Sequence, residues 1–352
     1  MHHSLVTVPA ATAGAMLYAR SAAASIRPGP RRLLALAPAL ALLLALPFSI
    51  PLYSARGTAA FFLVWLGEFK LLLLASGRGP LDPSLPPLPF VFTASLPVKL
   101  LLLHNTNETK KRPASDDPKT KTKTQAAALP LLSSSAIKLG AMVAILHLLR
   151  GKKDAMHPHV ASAVYAVFIY CNLDFLLPCL AALGRAVLGL EMEPQFDRPY
   201  LSASLQDFWG RRWNLMASAV LRASVYGPVR ARTGSAAAAV LATFLASGIM
   251  HEVVVYYVTF RPPTGRVTLF FALHGASLCA EKWWCARRGV SVRLLPRAVA
   301  TPLVLAYVAG TAFWLFFPPL FGDGMDDRYI QEFTGMMSSV ADTGGRLLPR
   351  LG

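Results

Sequence analysis

Apolar stretches of membrane-crossing length follow one another along almost the whole chain. They cover residues 5–19, 33–50, 58–76, 90–103, 129–149, 160–183, 236–259, 267–280 and 298–317. A spanning helix needs roughly 20 consecutive apolar residues. Lipid also forces every backbone polar group to be satisfied internally, which leaves helices as the simplest solution. The expected fold is therefore all-α: a polytopic transmembrane helical bundle of about eight or nine membrane segments. The segment 90–103 is short and contains Pro97, so a re-entrant or interfacial path is open to it. The run 5–19 reads as a first membrane helix and not as a cleaved signal peptide, because basic residues follow it in place of a small-residue cleavage site. Composition closes off a soluble alternative. The chain is 54% hydrophobic and 15% charged, with a mean hydropathy of +0.46, whereas soluble domains carry about 25% charged residues.

The formal net charge is +17. In a soluble chain this would suggest nucleic acid. Here the basic residues punctuate apolar segments: Arg31 and Arg32, Lys110 to Arg112, Arg211 and Arg212, Arg287 and Arg288. They read as anchors of cytoplasmic loops, which places the loops after Ala19, Leu103, Leu183 and Ala280 on the cytoplasmic side. Asn107 heads a glycosylation sequon, and that topology leaves it unmodified. No partition into soluble domains is visible, so 1–352 reads as one membrane-embedded domain. Two loops differ in kind. Residues 105–125 are rich in Lys, Thr and Asp and read as flexible and solvated. Residues 185–235 mix aromatics, charges and an amphipathic stretch, and read as a structured, partly embedded segment. The four cysteines, Cys171, Cys179, Cys279 and Cys285, lack metal or disulfide spacing and read as packed free thiols.

His251 lies inside 236–259, where an ionisable side chain is costly unless it faces partners or a water-filled cavity. Two readings are open: a general base, or a histidine hydrogen-bonded between helices. Its neighbour Glu252 points elsewhere on a helix, and HEVVV lacks the second histidine of a zinc-protease HExxH. The segment LQDFWGRRWN, 205–214, is the second concentration of chemistry. It reads either as an aromatic-basic anchor at the headgroup level or as a binding wall. In the second reading Arg211 and Arg212 fork to phosphates, Trp209 and Trp213 line an acyl or adenine surface, and Gln206 and Asp207 share the substrate-facing segment. Asn214 then donates to a carbonyl oxygen as negative charge develops on it. His274 either lines the same site or packs beside Gly275. Asp174 is expected to pair with a basic residue, and Glu68 and Lys70 to reach separate partners.

The ordered run FDRPYLSASLQDFWGRRWN, LRASVYGPV and FLASGIMHEVVVYY, flanked by FFLVWLGEFKLLLL and FFALHGASLCAE, resembles the plant wax synthase family. These are long-chain-alcohol O-fatty-acyltransferases of the membrane-bound O-acyltransferase superfamily. The resemblance covers nearly the whole chain. It implies His251 as catalytic base with Asn214 as its companion, and no bound cofactor or metal. It also implies acyl-CoA as co-substrate, and a long-chain alcohol or a sterol as acceptor. The expected location is the endoplasmic reticulum membrane, with membrane lipids as partners and no nucleic acid. A proton-relaying transporter using His251, Asp174 and Glu252, or an inactive scaffold, is the reading from a different class; no inverted repeat supports the transporter.

Overall fold

The computed structural model describes residues 2–97, 136–188, 195–289, 295–322 and 324–347. Among them every regular element is helical. The loop 105–125, with Asn107, lies outside the described residues, as do the ends of the predicted segments 90–103 and 129–149. Among the described residues five helices are long and apolar enough to cross a membrane: Pro30–Ser49, Tyr53–Ala75, Pro158–Ala186, Ala236–Thr259 and Arg297–Phe321.

The chain forms two compact units. The larger is built from the described parts of Met1–Lys99 and Glu193–Gly352. It begins with α1 (His2–Ser25), α2 (Pro30–Ser49), α3 (Tyr53–Ala75) and α4 (Pro87–Ser95). Pro30 opens α2 at the position where a missing N–H costs nothing. Met16, Leu36, Leu43, Leu71 and Phe90 interlock α1 to α4 in one buried cluster. The smaller unit, Leu100–Met192, contains α5 (136–152) and α6 (Pro158–Leu188). There Lys138 Nζ meets Asp174 Oδ2 at 2.8 Å, the basic partner expected for Asp174.

The larger unit continues with α7 (205–212), α8 (215–233), α9 (Ala236–Thr259), α10 (Arg266–Arg288), α11 (Arg297–Phe321) and α12 (Met325–Leu347). α9 and α10 make the most extensive helix pair. Small residues allow the approach: a Cβ on Gly248 would lie 2.8 Å from Thr268 Cα, and one on Gly275 would lie 2.9 Å from Phe244 Cβ. Close backbone approach through small residues is how helices associate where lipid removes the hydrophobic driving force.

Most of the buried charge in this unit sits on helix ends; Glu68 is the exception, its Oε1 being buried without the partner expected for it among the described residues. The four terminal N–H and C=O groups of a helix have no internal partner, and lipid supplies none. Arg32 donates to Ile26 O at 2.6 Å and Leu74 O at 3.0 Å, closing α1 and α3. It is buried, so it is a cap and not the exposed loop anchor that its place in the sequence predicts. Lys70 Nζ donates to Thr93 O and Leu96 O at the end of α4, at 2.7 and 2.6 Å. Arg56 closes α9 by donating to Tyr257 O and Val258 O. The opposite charge holds the opposite ends. Glu332 accepts from the N–H groups of Tyr53 and Ser54 at the start of α3. Glu252 accepts from Thr264 N at 3.2 Å, Val267 N at 2.9 Å and Thr268 N at 3.2 Å at the start of α10. Both signs match the helix macrodipole.

Candidate active site

His251 sits midway along α9 and turns away from its neighbour Glu252. Its Nδ1 lies 2.8 Å from Ser247 O, one turn back on the same helix. A carbonyl only accepts, so Nδ1 carries the hydrogen and Nε2 keeps its lone pair. Aromatic rings fix the imidazole plane: Phe271 stacks on it with centroids 4.3 Å apart, and Trp65 meets it edge-on at 4.6 Å.

The 205–214 segment folds through its own polar groups. Ser204 caps α7 by accepting from Asp207 N at 2.9 Å. Glu281 supplies a second cap, accepting from Leu205 N and Gln206 N at 3.3 and 3.2 Å. Burial pushes the Glu281 carboxyl up, and the two backbone N–H groups pull the other way. Residues Phe208–Arg212 form a π-turn. Arg212 Nε closes it on Asp207 Oδ2 at 2.9 Å, and Arg212 also donates to Asp197 O at 3.0 Å. Asn214 then adopts the left-handed conformation, φ 44°, which asparagine tolerates better than most residues. Its Oδ1 accepts from Ala217 N at 3.1 Å and caps α8. Capping through Oδ1 leaves the Nδ2 hydrogens as the donors of that side chain.

These elements enclose one cavity of about 370 Å³. His251 and Asn214 both line it, with Gln206, Trp209, Arg211 and Trp213. Six of the residues singled out in the sequence are thus brought together across elements far apart in the chain. Three are not. Asp207 and Arg212 are absent from the wall, because they pair with each other to shape the turn. His274 is fully buried and lies behind Trp209, outside the lining. Its Nδ1 is 3.1 Å from Trp209 Nε1 and its Nε2 is 2.9 Å from Thr311 Oγ1. The structure places these three outside the lining, each engaged by protein partners.

The wall also holds residues that the sequence reading passed over. Trp65 sits beside His251, buried to 1% exposure. Arg222, Tyr226 and Lys282 join Arg211 around the cavity. Arg211, Arg222 and Lys282 are exposed, and among the described residues no carboxylate lines the wall. Trp65, Arg222 and Tyr226 fall inside the motifs FFLVWLGEFKLLLL and LRASVYGPV, so the signal was present without a stated role. Beyond Lys282, Arg287 and Arg288 stack on the exposed Trp283 and Trp284 at 4.7 and 4.5 Å, the aromatic-basic composition of a headgroup interface. All four cysteines are free thiols.

Residues 192–273, which contain both Asn214 and His251, match the membrane bound O-acyl transferase family. The class is thus a membrane-embedded O-acyltransferase. The chain is 38% identical over 319 residues to a long-chain-alcohol O-fatty-acyltransferase of Simmondsia chinensis, covering 88% of this chain and 87% of that one. It is 35% identical to the probable long-chain-alcohol O-fatty-acyltransferase 1 of Arabidopsis thaliana, over 86% of this chain and 87% of the relative. It is 33% identical to the acyl-CoA–sterol O-acyltransferase 1 of Arabidopsis thaliana, over 88% and 87%. The chain belongs to the long-chain-alcohol O-fatty-acyltransferases, the wax synthase family of the membrane-bound O-acyltransferases.

Proposed function

We propose that this protein transfers a fatty acyl group from acyl-CoA to the hydroxyl of a long-chain fatty alcohol, making a wax ester. The observation that carries this reading is the shared cavity: His251 and Asn214 both line it, and their Nδ1 and Oδ1 are already engaged by Ser247 O and Ala217 N. His251 Nε2 takes the alcohol proton as the oxygen attacks the thioester carbon. A positioned base of this kind is worth about 10²–10⁴ in rate. Asn214 Nδ2 donates to the oxyanion. When the C–S bond breaks, the proton on His251 passes to the departing thiolate, so the base is restored and no covalent enzyme intermediate is needed. Arg211, Arg222 and Lys282 receive the CoA phosphates, and among the described residues no carboxylate shares the wall with them. Trp209, Trp213 and Phe271 provide apolar wall for chain and acceptor.

The acceptor is the open choice within this reading. The Simmondsia relative favours a long-chain alcohol, and the 33% identical sterol acyltransferase keeps a sterol in view. A proton relay through Glu252 is disfavoured, because its carboxylate is committed to three backbone N–H groups. We further infer one acyltransferase domain over 1–352 with about eight or nine membrane segments, 185–235 partly embedded, resident in the endoplasmic reticulum membrane. The charged run 105–125 is proposed to be a flexible cytoplasmic loop.

The test is ester synthesis in a host without endogenous neutral-lipid synthesis, fed fatty alcohols and sterols together. Wax esters are expected from the native chain, and His251→Ala at equal expression should make about 10²–10⁴ less. Unchanged ester formation in His251→Ala removes the base assignment; no ester from any supplied acceptor removes the reading itself.

A further inference from the structure

Resting on the reading of this cavity as the ester-forming site, we propose that His274 is a positioning residue that holds the Trp209 indole as the chain-measuring wall. The hydrogen directions around His274 are fixed by chemistry. Indole Nε1–H only donates, so His274 Nδ1 accepts from Trp209 at 3.1 Å and carries no hydrogen. A backbone carbonyl only accepts, so Thr311 Oγ1 gives its hydrogen to Tyr307 O at 2.7 Å. The Thr311 oxygen is then the acceptor for His274 Nε2–H at 2.9 Å. One neutral tautomer satisfies the whole chain, and neither ring nitrogen is left for substrate.

This relay ties three separate elements together: the π-turn carrying Trp209, helix α10 carrying His274, and helix α11 carrying Thr311. Trp209 is pinned at its other end as well, where Ser218 Oγ donates to Trp209 O at 3.1 Å. The indole therefore has one orientation. One side of it meets His274, 5.3 Å between centroids, and another part faces the cavity. Trp209 also contacts Phe271 at 5.7 Å, and Phe271 is the ring stacked on His251. Loss of the relay frees the Trp209 rotamer first, before any group that touches the reacting atoms. The effect falls on how alkyl chains fit, which is read as KM and chain-length preference and not as the chemical step.

The experiment uses the purified full chain in detergent, with mixed acyl-CoAs of different length and mixed alcohols, and reads the ester profile. His274→Phe and Trp209→Phe should each raise KM about tenfold, the loss of one buried hydrogen bond, with kcat little changed. Both should shift the chain-length profile in the same direction, and the double variant should match either single one. His274→Asn, whose Oδ1 can accept from the indole, should restore the native profile. Melting temperatures of all variants are measured alongside. A fall in kcat of about a hundredfold or more at native KM in His274→Phe would make His274 chemical and overturn the proposal. So would a lowered melting temperature with an unaltered profile, or additive effects in the double variant. No ester from the native chain with any acceptor fails the site reading, a different result from native ester formation with profiles that do not move.

Discussion

Glu252 stands next to the proposed base, and the structure makes it a helix cap. Replacement by alanine strands three N–H groups at the start of α10: those of Thr264, Val267 and Thr268. The carboxylate is 5% exposed, so water cannot readily take its place. Each buried donor left without a partner costs about 1–3 kcal/mol, and a charge lost from a helix N-terminus costs up to about 1 kcal/mol more at exposed sites. Of the three bonds only that of Val267 is fully buried and the other two N–H groups are partly open, so Glu252→Ala should lose about 1–4 kcal/mol. Glu252→Gln should lose far less. Its carbonyl oxygen can keep the Val267 and Thr268 bonds that Oε1 now accepts, and only the Thr264 bond faces an NH₂ group. The expected order of melting temperature in detergent is native, then glutamine, then alanine. Ester-forming activity should follow the folded fraction. Amide exchange at Val267 and Thr268 should accelerate in the alanine variant before exchange elsewhere in α10. The reasoning is refuted if Glu252→Gln melts like the native protein yet loses activity a hundredfold, because a cap has no way to act on chemistry without acting on stability.

Two further outcomes separate roles that share a residue or a surface. Asn214→Asp preserves an acceptor for Ala217 N but has no Nδ2 hydrogens, so melting should hold while kcat falls about 10²–10³-fold, the usual worth of an oxyanion donor; equal kcat in the two proteins would reduce Asn214 to a cap. Reversing Arg222 and Lys282 to Glu should raise KM for acyl-CoA while leaving activity with an acyl-N-acetylcysteamine thioester, which lacks phosphates, near the native level, and should weaken the salt dependence of the acyl-CoA reaction; an equal loss with both donors would sink the phosphate assignment.

The sequence carried the large-scale decisions because they depend on local, additive properties. Apolar length and charge scarcity fix a helical membrane chain, and the motifs around Asn214 and His251 are contiguous enough to mark the family. The tautomer of His251 was nearly legible too, since its partner Ser247 is one helical turn away. Neighbouring residues of like chemistry were not separable in this way. Arg211 and Arg212 are adjacent arginines; one lines the cavity, and the other is consumed by Asp207 and the carbonyl of Asp197. His251 and Glu252 are adjacent ionisable groups; one faces the cavity, and the other caps α10. Arg32 looks in sequence like a loop anchor, and Lys70 like a charge whose separate partner is not named; each closes helix ends from another part of the chain.

What the sequence determined by itself is therefore the medium, the helical class and the family. The tertiary structure alone decided which polar groups line the cavity and which are consumed by protein partners. The reason is that a buried polar group is costly without a partner, and its partner is whichever donor or acceptor the packing brings within about 3 Å, from anywhere along the chain. Charge and periodicity announce that such groups exist. Only the approach of α7, α10 and α11 decided that His274 would face Trp209 and Thr311, and that His251 would face open space.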